Sequence, residues 1–221
     1  MRTFTIRVYD HAVPKVVDHA ERRTAIARAF AGLVAEHGFS ATTYARTAAA
    51  TGCSVGTVQH YFASRDDLAR AAFDAVLSDR DARVAAVVAA GEAAHRPIRV
   101  LLRDALTALL PLDEERRLEH RVVMWLRVEA PLDAGLRAIA VRVDADLHAR
   151  VATAVTNGTG CGEVEPGTDA DVAASRVLAT AHGLALEIAT SPRRDPAAVL
   201  DPVLATVFTG RCRRHDDPVP M

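Results

Sequence analysis

The stretch from Thr43 to Phe62, TYARTAAATGCSVGTVQHYF, constrains this chain most, because it spells two short helices joined by a tight turn. On a 3.6-residue wheel its first half places Tyr44, Thr47, Ala48 and Thr51 on one face and Ala45, Arg46, Ala49 and Ala50 on the other. Thr43 is placed to cap the first helix, and Gly52 to end it by accepting the left-handed conformation that other residues resist. Ser54 can cap a second helix whose inward face is Val55, Val58 and Phe62. Gly56, Thr57 and His60 then face outward, flanked by Gln59 and Tyr61. That outward face carries small, hydroxyl and amide groups and no formal charge. It suits a helix that lies close to a partner while forming hydrogen bonds, as the second helix of a helix-turn-helix does in the DNA major groove. An ordinary helical hairpin is the alternative on this pattern alone.

The segment GCSVGTVQHYFASRDDL resembles the recognition segment of the TetR family of one-component repressors, roughly G-V-S-x-G-T-L-Y-x-Y-F-x-[ST]-K-x-x-L. The preceding ERRTAIARAFAGLVAEHGFSATTYARTAA resembles that family's first two helices, so the match spans about 21 to 77. PKVVDHAERR and HGLALEIATSP resemble the subgroup with choline-sensing-repressor-like, BetI-type C-terminal domains. Three positions depart from the pattern. Cys53 stands where an aliphatic residue is usual, Gln59 replaces a common tyrosine, and Ala45 occupies a place where some members use an arginine.

The chain has 221 residues, half of them hydrophobic with few aromatics, which favours helix over a β-sandwich. Its formal net charge of −1 is unevenly spread. Nine basic and six acidic residues precede Ala71, a net of +3, while eighteen and twenty-two follow, a net of −4. The positive charge therefore sits with the motif rather than with the remainder.

Outside the motif, helices are expected at about 21–37, from Ser64 to about 90, and at 97–110, 114–129, 133–156, 169–190 and 196–209. Residues 157–168, NGTGCGEVEPGT, read as a Gly-rich loop without the G-K-[ST] of a P-loop. The first twelve residues alternate like a strand without a partner, so residues 1–20 are expected to be a flexible arm, with a native start at Val13. The expected units are then a DNA-binding head over 21–67, a sensing and dimerisation unit over 68–209, and a disordered tail over 210–221.

Helix 169–190 is apolar nearly all round after its first turn and requires cover on two sides. A second copy is the expected cover, through Val172, Ala179, His182, Gly183 and Leu186. With helix 133–156 it would form a four-helix interface about a two-fold axis, as the resemblance also implies.

The nine histidines include no H-E-x-x-H and no i, i+4 pair, no G-x-S-x-G occurs, and the carboxylates are scattered. No catalyst, cofactor or metal is expected. The cysteines, Cys53, Cys161 and Cys212, lack a C-x-x-C pair and fit a reducing cytoplasm. A redox or metal sensor built on them is an alternative. No apolar run approaches the length needed to cross a bilayer, so no membrane partner is expected.

The resulting reading is an all-α homodimer that regulates transcription, most simply a repressor released from a palindromic operator by a small molecule. A ligand-independent regulator is the runner-up. Expected operator contacts are Thr57 and Tyr61 to phosphates, Arg65 as added charge, and Ser54 or Thr43 as further donors. Val55, Gly56, Gln59 and His60 would read bases, with Arg46 as a further candidate. The resemblance places a ligand in the C-terminal bundle, with His120, Arg121, Met124, Trp125 and Val128 as the expected lining.

Overall fold

The computed structural model describes residues 19–191 and 195–212. Most of the expected arm, the Val13 start and most of the tail lie outside the described residues, while His19 and Ala20, expected in the arm, begin α1. Among those described, all regular structure is helical: α1 (His19–His37), α2 (Tyr44–Thr51), α3 (Val55–Tyr61), α4 (Arg65–Ala93), α5 (Ile98–Ala108), α6 (Glu114–Glu129), α7 (Ala134–Cys161), α8 (Ala170–Thr190) and α9 (Pro196–Ala205).

Local chemistry sets most of the boundaries. The Thr43 hydroxyl accepts from the Arg46 amide, that of Ser54 from Thr57, and that of Ser64 from Asp67. Each satisfies one of the orphan donors at a helix start. Gly52 closes α2 at φ 64°. Asp113, Asp133, Asp169 and Asp195 cap α6, α7, α8 and α9 in the same way.

Two elements differ from expectation. The expected loop after residue 156 is helical as far as Cys161, so α7 absorbs NGTGC before Gly162 ends it at φ 96°. Gly158 is buried against the Val164 and Phe208 side chains, and a methyl group there would collide with both. Its glycine therefore serves close packing, not chain reversal. Helix α8, contrary to the sequence reading, is long and apolar enough by length and composition to cross a membrane. Its Ala174, Val177, Leu184 and Ile188 are instead buried in the bundle.

The helices enclose two apolar cores. One joins α1, α3 and the first half of α4 to α6 and the start of α7, with Phe30, Phe62 and Phe73 each at most 2% exposed. Burying a side chain of that size contributes about 1.5–3 kcal/mol. The other gathers α5, the second half of α7, α8 and α9 around Leu106, Val155, Leu184 and Phe208. The first core runs through residue 67 without a break: Leu68, Ala69 and Phe73 share it with Ile26 and with Val122 and Leu126 of α6.

Candidate nucleic-acid interface and C-terminal cavity

Helix α3 is held to the head by Val58 and by the Phe62 that follows it, both buried, and presents Val55, Gly56, Gln59 and His60 to solvent. Val55 was also expected on the inward face. At the first position of α3 nothing covers it, and it is 40% exposed. The opposite side of α2, with Thr47 and Ala48 buried, packs on the head while Ala45, Arg46, Ala49 and Ala50 remain exposed.

Several expected contact groups already have partners. The Ser54 and Thr57 hydroxyls bond each other at 2.9 Å, which fixes Thr57 at the edge of α3. The Tyr61 hydroxyl meets His19 Nδ1 at 2.9 Å. Arg46 donates to the Ala41 carbonyl at 3.0 Å and keeps its outer surface free. Arg65 is turned inward: its guanidinium lies 3.9 Å from the centroid of the Phe39 ring and donates to the Phe39 carbonyl. Other head arginines are paired as well, Arg28 with Asp79 at 2.6 Å and Arg23 with Asp67 at 3.4 Å. The outward face of α3 is thus polar without charge, which suits hydrogen bonding to base edges.

Cys53 packs on the head core beside the Thr51 hydroxyl, 3.0 Å from its sulfur. That is the environment of a small hydrophobe.

A cavity of about 320 Å³ opens in the C-terminal bundle between α4, α6, α7 and α8. His120 and Met124 line it, while Arg121, Trp125 and Val128 do not. Arg121 pairs with Glu114 at 3.3 Å on the surface, and Val128 is 63% exposed. Trp125 points to the other side of α6, stacked between Phe39 at 4.3 Å and Phe73 at 5.2 Å. It belongs to the seam between head and bundle.

Residues not foreseen complete the cavity: Val143 and Leu147 from α7, Leu178 and Ala181 from α8, and the buried Glu119. Glu119 is held by Arg83 of α4, Nη1 to Oε1 at 2.7 Å, while Arg83 Nε donates to the Ala108 carbonyl at 3.1 Å. Partners 36 residues apart left no periodic signal in the sequence. Asp144 is likewise paired with Arg127 at 2.7 Å. Burial pushes the imidazole pKa of half-buried His120 down, and crowding at the cavity mouth acts the same way on His182, whose outer side remains exposed; the charge of Arg127 assists at both, so both rings favour the neutral form. His120 Nε2 is buried without a hydrogen-bond partner. The lining is therefore apolar, charge-compensated, and supplied with one unused polar atom.

The five residues expected at a dimer interface, Val172, Ala179, His182, Gly183 and Leu186, all lie exposed on one side of α8. His182, Gly183 and Leu186 also border the cavity, so its mouth opens on that side.

A capped helix-turn-helix on a small three-helix head, joined by a long α4 to a helical bundle with a cavity, defines a DNA-binding transcriptional regulator. Residues 26–72 match the bacterial regulatory proteins of the tetR family, and residues 98–209 match the C-terminal domain of BetI-type transcriptional repressors. The chain belongs to the TetR family of transcriptional regulators.

No curated protein matches the chain. Among solved structures, a transcriptional regulator from Rhodococcus sp. Rha1 is 27% identical, with 90% of this chain and 99% of that one covered at a TM-score of 0.69. A regulator from Saccharomonospora viridis in complex with choline is 22% identical over 85% and 93%, with a TM-score of 0.68. A TetR-family regulator from Cytophaga hutchinsonii is 20% identical over 86% and 96%, with a TM-score of 0.72. The last two show the shared fold.

Proposed function

We propose that this regulator acts in the cytoplasm as a homodimeric repressor that binds a palindromic operator and releases it when a small molecule enters the α4–α6–α7–α8 cavity. The observation that carries this reading is the two-sided use of α6. His120 and Met124 line the cavity on one side, and Trp125 stacks on Phe39 and Phe73 on the other. A ligand that moves α6 acts on the head through Trp125 and on α4 through Phe73.

The exposed stripe of α8 supports dimerisation, since covering it with a second copy removes Val172 and Leu186 from water. Two heads on a two-fold axis then read half-sites about 34–36 Å apart, or a multiple of that. Gln59 is placed to pair with adenine, and Val55, Gly56 and His60 share base readout. Thr43, Ser54, Thr57 and Tyr61 supply hydroxyls for the backbone at the flanks.

The choline bound by the Saccharomonospora viridis protein is a quaternary ammonium, a ligand class recognised by aromatic cages. No Phe, Tyr or Trp lines this cavity, and its carboxylates are already paired. The lining favours an uncharged, mainly apolar effector with one group that hydrogen-bonds to His120 Nε2.

Fluorescence anisotropy with DNA flanking its own gene tests this reading. Tight binding to one palindrome and weak binding to scrambled DNA are expected, with release by an uncharged ligand and not by choline. Equal affinity for palindrome and scramble rejects operator recognition, and release by choline rejects the ligand class.

A further inference from the structure

Cys161 and Cys212 are 51 positions apart, yet their sulfurs and a carboxylate oxygen of Glu163 all lie within 4.8 Å of one another. Two segments bring them there. Cys161 is the last residue of α7, Glu163 follows the Gly162 cap, and Cys212 stands beyond α9. The backbone amide of Gly210 donates to the Glu163 carbonyl at 3.0 Å, which ties the last segment to the first.

The geometry is that of a coordination edge. Zinc bonds to thiolate sulfur at about 2.3 Å and to carboxylate oxygen at about 2.0–2.2 Å, so a tetrahedral arrangement separates the two donors by about 3.5 Å. Cys161 Sγ and Glu163 Oε1 are 3.5 Å apart. Glu163 is buried and held rigidly, because its two oxygens accept from the Ile98 and Arg99 amides at 2.8 and 3.0 Å. Each oxygen has a second lone pair for a metal. These amides begin α5, and the positive end of that helix offsets part of the charge two thiolates and a carboxylate would concentrate.

An open cavity beside the cluster is lined by both cysteines together with His95 and Glu92. It provides entry for an ion beside the turn between α4 and α5. His95 is the one non-glycine residue with positive φ, 51°, among those described.

We propose that Cys161, Cys212 and Glu163 bind a thiophilic divalent cation of the zinc class, its fourth position facing the open cavity. Glu163 keeps its two amide bonds at the start of α5 and still offers a lone pair on each oxygen, so a cation uses all three groups at once. The site lies away from both α3 and the cavity beside His120, so this inference goes beyond the regulatory reading and stands or falls separately from it.

The test uses the full chain, purified reduced and stripped of metal, titrated with Co²⁺ and then with Zn²⁺. One equivalent of Co²⁺ per chain should produce a near-ultraviolet thiolate-to-cobalt charge-transfer band, which Zn²⁺ then removes. Cys53→Ser should leave the band intact, whereas Cys161→Ser and Cys212→Ser should each abolish it with helical content unchanged by circular dichroism. Cys212→Ser, in the extended segment after α9, guards against a folding defect from changing buried Cys161. Absence of the band in the wild-type chain, its persistence in Cys212→Ser, or oxidation to an intramolecular disulfide with no ion retained overturns the site.

Discussion

The Trp125 indole lies parallel to the Phe73 ring, with 4° between planes and 5.2 Å between centroids, and its other face covers Phe39. One half-buried side chain of the bundle thereby contacts both the link helix and the loop ahead of α2. Removing it with Trp125→Ala should destabilise the protein by about 2–4 kcal/mol, part of it from aromatic pairs worth about 0.5–1.5 kcal/mol beyond area. Trp125→Phe should recover most of that loss. Urea melts followed by circular dichroism measure both, and an alanine variant as stable as wild type would show that the seam carries little energy.

Gln59 and Arg65 separate base reading from head integrity. Gln59→Ala should cost about 1–3 kcal/mol on the cognate operator and much less on random DNA. Arg65→Lys keeps the charge but loses the planar stack on Phe39, so it should lower the melting temperature by a few degrees and leave the salt slope of binding unchanged. A reduced slope in the lysine variant would instead assign Arg65 to phosphate contact.

The head was largely legible because its signals are local. Thr43, Ser54 and Ser64 cap helices with their own hydroxyls, and Gly52 closes one with its own backbone freedom, so a window of a few residues contains cause and effect. The cavity was legible only in part. His120 and Met124 share a helix face that periodicity identifies, but Leu147 and Leu178 join them only through tertiary packing. Trp125 lies on the side of α6 away from this cavity, a placement set by partners, Phe39 and Phe73, that are 86 and 52 positions away. Composition alone does not reveal which face an aromatic ring chooses.

His120 and His182 set a pH dependence. Burial of His120 and partial desolvation of His182 at the cavity mouth hold both pKa values below the ordinary 6.5, with Arg127 lowering both, Arg80 lowering His182, and Asp144 opposing at His182. The unfolded chain takes up protons at about 6.5 while the folded one does not, so this contribution to stability is complete above that pH. It is lost progressively as pH falls below 6.5 through the depressed folded values. Denaturation at pH 7.5, 6.5 and 5.5 should show a decline that the double variant His120→Gln, His182→Gln flattens. An identical decline in the double variant would place its origin elsewhere.

Two glycines near the end of α7 should respond in opposite directions. Alanine favours helix over glycine by about 1 kcal/mol, and Gly160 has open space around it, so Gly160→Ala should stabilise by about 0.5–1 kcal/mol. At Gly158 the added methyl meets Val164 and Phe208, and overpacking of about 1–3 kcal/mol should outweigh the propensity gain. Chemical denaturation of the two variants side by side checks the signs, and equal stabilisation would mean the packing yields freely.

The start of α5 has a temporal consequence. Pro97 stands at its N-cap position without a side-chain hydrogen bond, and the carboxylate that serves the first amides belongs to Glu163, 65 positions downstream of Ile98. At about 5–20 residues per second, a ribosome delivers that cap roughly 3–13 s after it has made Ile98, where the helix begins. During translation α5 therefore waits, complete in sequence but uncapped, until α6 and all of α7 have followed it out. Truncation before Glu163 therefore leaves α5 without the carboxylate at its start.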